Sequence, residues 1–273
     1  MVAGLLSARR RPSWARWPKS TSLRSETVMG TFEGRCMLVT GGAGDIGRAT
    51  ARAFLQHGAH VHLVDIDRDR LEKAKNELQS LGRVSAHASA LASPAECREA
   101  FAACGQAVHA LVHMAGVFEP DPLDADDRSV WERAIASNLT NAYDMAIAFR
   151  AQHGEGAGAG RIVLCSSRAF QRGAAGRAAY TAAKGGIVGL TRTFSREFAP
   201  HILVNAVAPG LIETRMTTDV IARFGDQRMA EIPLGRYGTP EDVAGVVKFL
   251  CGPDSAYMTG QLITVDGGVL NSS

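Results

Sequence analysis

From Arg35 onward the apolar positions follow two alternating patterns. Short continuous runs at Cys36-Met37-Leu38-Val39, His60–Val64, Ala110–His113, Arg161–Cys165, Ile202–Val207 and Leu262–Val265 predict buried strands, with a weaker strand over Arg83–Ala88. Stretches with helical spacing at Ile46–His57, Arg68–Leu81, the segment after Pro94, Arg128–Gln152, Ala178–Phe198 and Pro240–Cys251 predict helices. Strands that alternate with helices imply right-handed βαβ units. Strands that are apolar on both faces imply a parallel sheet covered on both sides. The expected fold class is α/β, a doubly wound parallel sheet in a single domain over residues 29–273. Gly154–Gly160 reads as a loop inside that domain. The segment Leu211–Gly238 interrupts the rhythm between a strand end and a helix, where a lid over a ligand is expected.

The first strand runs into Thr40-Gly41-Gly42-Ala43-Gly44-Asp45-Ile46-Gly47 and then directly into a helix. A glycine-rich turn of this kind lets backbone N–H groups approach a phosphate, and the helix N-terminus adds roughly half a positive charge. The context makes it a Rossmann-type dinucleotide cradle, with Gly41, Gly44, Asp45, Ile46 and Gly47 at the pyrophosphate. About 20 residues on, at the end of the second strand, stands Asp65. A carboxylate there accepts from the adenosine ribose hydroxyls and repels a 2′-phosphate. No Lys or Arg lies within Gly41–Gly47, and Ile66 follows the acid, which favours NAD(H) over NADP.

Far downstream come Ser167, Tyr180 and Lys184. With the glycine turn, they resemble the short-chain dehydrogenase/reductase family over about Arg35 to Gly268. Its Thr-Gly-x-x-x-Gly-x-Gly pattern maps onto Thr40, Gly41 and Gly47, and its Tyr-x-x-x-Lys onto Tyr180 and Lys184. Its serine maps onto Ser167 and its asparagine onto Asn138. Its Pro-Gly turn against the nicotinamide maps onto Pro209-Gly210, with Ile212 and Thr214 as carboxamide contacts. The resemblance implies hydride transfer between a nicotinamide cofactor and a secondary alcohol or ketone. Carbonyl reduction needs a proton donor as hydride arrives, and oxidation needs the reverse. A phenol with an ordinary pKa near ~10 is a poor base at neutral pH, and a lysine ammonium on the same helix face stabilises phenolate. By the same resemblance Ser167 polarises the substrate oxygen, Lys184 reaches the nicotinamide ribose, and Asn138 holds a water linking Lys184 to solvent. A homotetramer is implied too, paired through the helices Arg128–Gln152 and Ala178–Phe198.

Three places depart from the family pattern. Asp45 replaces the middle glycine; its side chain must turn away from the pyrophosphate and could instead cap the helix. His113-Met114-Ala115-Gly116 replaces Asn-Asn-Ala-Gly; Ala115 and Gly116 keep room for the cofactor ribose, and His113 could bond the neighbouring backbone. Ala90-Leu91 replaces an Asp-Val pair; Leu91 keeps the apolar packing on adenine, and an acceptor is lost.

Charge changes the picture only at the N-terminus. Residues 1–25 hold five Arg and one Lys and no acid, so the net +3 of the 273-residue chain becomes −3 over residues 26–273. No basic stripe for nucleic acid remains. Residues 1–28 are expected to be a disordered extension, read either as an organelle-targeting (for example mitochondrial) segment or as an early start with Met29 the true beginning. No apolar run reaches membrane-spanning length. The five cysteines lack metal-ligand spacing, so free thiols in the cytoplasm and no bound metal are expected, with Cys97 and Cys104 as small buried hydrophobes.

The residues after the serine, Arg168-Ala169-Phe170-Gln171-Arg172, are expected to line the substrate pocket, where an arginine either holds a carboxylate or phosphate or faces solvent or another subunit. The lid adds Arg215, Met216, Ile221 and Phe224. A 3-oxoacyl thioester, a sugar alcohol, a cyclic diol or a simple ketone all fit. The three departures keep open a cofactor-binding sensor or scaffold with weak catalysis. A sugar-nucleotide epimerase needs a larger C-terminal region than this chain has.

Overall fold

In the computed structural model, residues 31–124, 126–154 and 159–270 are described. The N-terminal extension, most of the glycine-rich loop after Gln152 and the last three residues therefore lie outside the described residues. Seven strands, β1 (Cys36–Thr40), β2 (His60–Asp65), β3 (Val84–Ala88), β4 (Val108–His113), β5 (Gly160–Cys165), β6 (Ile202–Pro209) and β7 (Leu262–Val265), form one sheet. Their order is β3-β2-β1-β4-β5-β6-β7, parallel throughout. The order reverses between β1 and β4, so a crevice opens at their carboxyl ends, where α/β sheets bind ligands.

Because successive strand residues face opposite ways, each strand feeds two cores. Cys36 and Leu38 of β1 pack on one face with Phe101, Met145, Phe149 and Ile187. Met37 and Val39 pack on the other with Phe54, Leu71, Val247 and Leu250. The first face is covered by α3 (Pro94–Ala102), α5 (Asn141–Gln152) and α7 (Ala178–Glu197); the second by α1 (Asp45–Leu55), α2 (Arg68–Leu78) and α9 (Pro240–Cys251). Helix α9 starts where its sequence says, with Pro240 in the first turn and a capping box between Thr239 and Asp242.

Two predicted elements change. The stretch Arg128–Gln152 is not one α-helix: α4 (Ser129–Ile135) and α5 are joined by a π-helical turn over Ala136–Thr140. The segment 211–238, where a lid is expected, carries its own helix, α8 (Thr218–Ala230). Its ends are tied together by a bridge between Ile212 and Gly238 and by Glu213 N–H to Gly238 O at 2.8 Å. A short helix, α6 (Ala169–Arg172), follows β5.

Candidate active site

The glycine turn is built by close approach. Gly41 has φ +63°, and a Cβ on it would lie 2.9 Å from Ala115 N. A Cβ on Gly47 would lie 2.2 Å from Gly41 O, so helix α1 packs onto the turn as only glycine permits. The N–H groups of Asp45, Ile46 and Gly47 make no hydrogen bond among the described residues. They open into a cleft lined by Gly41, Gly44, Asp45, Ile46, Gly47, Asp65, Leu91, Ala115, Gly116 and Thr214. These free donors at a helix N-terminus, with no Cβ in front of them at Gly44 or Gly47, fit a pyrophosphate.

Asp65 holds the turn as well as facing the cleft. Its Oδ2 accepts from Ala43 N at 3.0 Å and its Oδ1 from Asp67 N at 3.1 Å. Arg70, which sequence reading missed, lines the same end of the cleft and donates to Ala43 O at 2.7 Å. Leu91 sits with φ +54°, buried against the sheet.

Asp45 does not cap α1. The N-cap is Gly44 with no side-chain cap, and Asp45 is the first helical residue. Its carboxylate turns to the lid, accepting from Arg215 N at 2.9 Å and pairing with Arg48 at 3.4 Å. Nor does His113 bond the backbone. Its Nδ1 lies 2.9 Å from Thr40 Oγ1 and its Nε2 3.2 Å from Asn141 Oδ1. The Asn141 amide donates to Ser137 O at 2.9 Å, so Asn141 Oδ1 must accept and Nε2 carries the proton. Thr40 Oγ1 then donates to Nδ1 while accepting from Ala115 N at 3.2 Å. Burial and the Lys184 charge press the imidazole down to about 3, so it is neutral.

The catalytic candidates converge from three elements. Asn138 is buried in the π turn; its amide donates to Val117 O and Ala134 O at 3.1 and 3.0 Å, and its Oδ1 accepts from Val117 N. A Cβ on Gly116 would meet Asn138 Oδ1 at 2.4 Å and Lys184 Nζ at 3.4 Å, so the ribose side of the cleft and the lysine are neighbours. Lys184 is buried and donates to Cys165 O at 2.9 Å, and burial lowers its pKa. Burial pushes the Tyr180 phenol up, and the neighbouring Ser167 hydroxyl opposes the rise without cancelling it. Lys184 Nζ lies over the Tyr180 ring, 5.6 Å from its centre. Ser167, not Ser166, faces the tyrosine, since the Ser166 hydroxyl is spent on Lys184 O at 2.8 Å.

Pro209 and Gly210 end β6 beside this group, with Arg168 N donating to Pro209 O at 3.0 Å. Ile212 is buried at the start of the 211–238 segment, where it bridges Gly238. Asp121, which carries no sequence signal, accepts from Ala179 N at 3.0 Å and so caps helix α7 from the loop after β4. Phe118 of that loop packs edge-on against Tyr180, ring centres 4.8 Å apart.

A family model described as enoyl-(acyl carrier protein) reductase matches residues 41–270. The 3-oxoacyl-[acyl-carrier-protein] reductase of Thermotoga maritima is 35% identical over 247 residues, covering 88% of this chain and 99% of that protein. The 2-(S)-hydroxypropyl-CoM dehydrogenase 3 of Xanthobacter autotrophicus is 34% identical, covering 85% of this chain and 94% of that protein. A solved 3-oxoacyl-[acyl-carrier protein] reductase with bound NAD from Brucella melitensis superposes with a TM-score of 0.81 at 27% identity, covering 94% of this chain and 98% of that one. With the glycine turn at the switch point and the serine, tyrosine and lysine gathered beside it, the chain belongs to the short-chain dehydrogenase/reductase family.

Proposed function

We propose that this protein is an NAD(H)-dependent oxidoreductase that interconverts a secondary alcohol and a ketone. The observation that carries the reading is the buried Tyr180 with Ser167 beside it, one helical turn from Lys184, whose Nζ adjoins Gly116 of a cleft whose glycine turn is held by Asp65. When bound, the nicotinamide supplies or accepts the hydride. The chain's own residues do the rest. Ser167 orients and polarises the substrate oxygen. Tyr180 gives that oxygen a proton during reduction and takes it back during oxidation; burial keeps the phenol protonated, which suits the reducing direction. Lys184, adjoining the Gly116 side of the cleft, binds the ribose, and Asn138 in the π turn supports the water path behind it. The π turn serves this role by breaking the regular backbone ladder beside the lysine.

The carboxylate of Asp65 supports NAD over NADP, because it faces the cleft and, among the described residues, no cation is paired to it. The relatives that reduce 3-oxoacyl groups support a ketone substrate. No helix among the described residues is long and apolar enough to cross a membrane, and all five cysteines are free, which supports a reducing compartment such as the cytoplasm.

The test is oxidation of NADH and NADPH across a panel of ketones, oxoacyl thioesters and sugars. Turnover should favour NADH. Tyr180→Phe should lower it by roughly 10²-fold or more, with NADH binding by fluorescence intact. Asp65→Ala should narrow the ratio of NADH to NADPH use. Retained activity in Tyr180→Phe removes the proton-transfer role, an unchanged cofactor ratio in Asp65→Ala removes the discriminating role, and tight NADH binding without turnover favours a sensor.

A further inference from the structure

The loop that follows the serine carries a cation one residue beyond it. Arg168 is half-buried, and its backbone is fixed between Ser167 and the end of β6 by the bond to Pro209 O. Three arginines and two acids share this corner: Arg168, Arg172, Arg228, Glu231 and Asp266. The charges do not cancel, and the bonding is uneven. Arg172 and Arg228 are both paired to Glu231. Asp266 turns its two oxygens to the N–H groups of Gly268 and Leu270, at 3.0 and 2.8 Å. Among the described residues Arg168 has no ion pair and its guanidinium no hydrogen bond.

Burial and the neighbouring Arg172 press against the Arg168 charge. A guanidinium nevertheless stays ionised and presents a planar fork of donors. A half-desolvated fork without an acceptor is unfavourable on its own, and one oxyanion satisfies both its charge and its geometry. Phosphate, sulfonate and carboxylate share that chemistry. Carboxylate matches the fork bidentately with a single charge, and the corner carries a net excess of one positive charge.

We propose that Arg168 anchors a carboxylate of the substrate whose carbonyl or carbinol carbon sits at Ser167 and Tyr180, so that the physiological substrate is an oxo acid or hydroxy acid. This rests on the oxidoreductase reading above and narrows its substrate from neutral ketones and polyols to anions.

The experiment compares pyruvate, acetoacetate and levulinate with their methyl esters, which differ from the acids in charge while keeping the ketone. Two readouts are taken: NADH oxidation, and calorimetric binding to the NAD⁺-loaded protein. At least one acid should exceed its ester in kcat/KM by about tenfold or more, the scale of a charge-assisted hydrogen bond. Arg168→Gln should remove that advantage mainly through KM, lowering kcat/KM for the acids by more than for the esters. Arg168→Lys should restore part of it and controls for folding. Better use of the esters, acid preference that survives in Arg168→Gln, or no binding of any acid overturns the anchor. Acids that bind through Arg168 without any turnover uphold the anchor and overturn the oxidoreductase reading. Selective binding of inorganic phosphate or methanesulfonate over every acid overturns the carboxylate assignment.

Discussion

His113 shows how one residue can be fixed by bonding in both directions. Its two ring nitrogens are matched, one to a hydroxyl donor on β1 and one to an amide acceptor on α5, so it joins the glycine turn to the helix that follows the π turn. A second proton would leave Thr40 without its acceptor. The folded imidazole therefore titrates at about 3, while an unfolded one takes up its proton near ~6.5. Between those values the unfolded chain binds more protons, so stability is complete above about pH 6.5 and falls as pH drops, by up to about 1.4 kcal/mol per pH unit. His62, pressed down to about 4 mainly by burial, adds loss of the same sign. Urea unfolding between pH 7 and 4 should show this decline, with a shallower slope in His113→Asn. An identical slope in the variant would exclude His113 as its source. The residue's identity was legible in the sequence as a departure from a familiar motif. Its partners were not, because Thr40 and Asn141 lie 73 and 28 positions away and meet it only when β1, β4 and α5 assemble.

At the level of elements, strand and helix boundaries were readable where apolar runs end in glycine, proline or a capping residue. Helix α9 and strand β7 begin and end at the predicted residues. The lid helix α8 escaped because none of its described side chains is fully buried, so no apolar stripe marks it. The π turn escaped because its residues, Ala136–Thr140, suit an ordinary helix; only the packing of Asn138 against Val117 and Ala134 marks the extra residue. The cap on α7 was equally hidden. Arg177, the local N-cap, makes no side-chain cap bond, and Asp121 supplies one from 58 residues upstream. Asp121 also donates its own N–H to Gly176 O at 2.8 Å, so it pins the Phe118 loop to the helix that carries Tyr180. Asp121→Ala should therefore lower kcat by roughly tenfold, the cost of one lost charge-assisted bond, while NADH affinity holds. Asp121→Asn, which keeps an acceptor oxygen, should recover most of it. Loss of NADH binding in Asp121→Ala, or no recovery in Asp121→Asn, would argue for general destabilisation.

For the whole molecule, the apolar groups left on the surface bear on assembly. Trp131 of α4 and Tyr143 and Ile147 of α5 are 41%, 46% and 37% exposed, and Gly189 on α7 leaves open space beside it. Large apolar side chains and a small-residue position on neighbouring helices are what a helix-paired interface needs. These faces suit the homotetramer that the family resemblance implies. Sedimentation equilibrium should give a mass close to four times the chain, and Trp131→Glu with Tyr143→Glu should shift it downward. A monomer at micromolar concentration would reject the assembly. The overall α/β architecture was legible because strand and helix periodicities alternate from β1 to β7, interrupted only by the segment 211–238. The site was legible in its glycine turn and its serine, tyrosine and lysine candidates, since these are local motifs. It was not legible in its supports, Asp121, Arg70 and the Asp45 tie to the lid, which exist only through the tertiary fold.

The π turn also makes chain length a functional variable. Each residue advances an α-helix by about 100°, so the extra residue in Ala136–Thr140 sets the rotational phase between α4 and α5. Removing one residue there would let the backbone relax into an unbroken α-helix with better hydrogen bonds. It would also turn one half against the other, carrying Asn138 off Val117 or swinging Tyr143 and Ile147 away from the face they share with Trp131. In this stretch a deletion reaches the reaction centre and the molecular surface at once, whereas many single substitutions would reach neither.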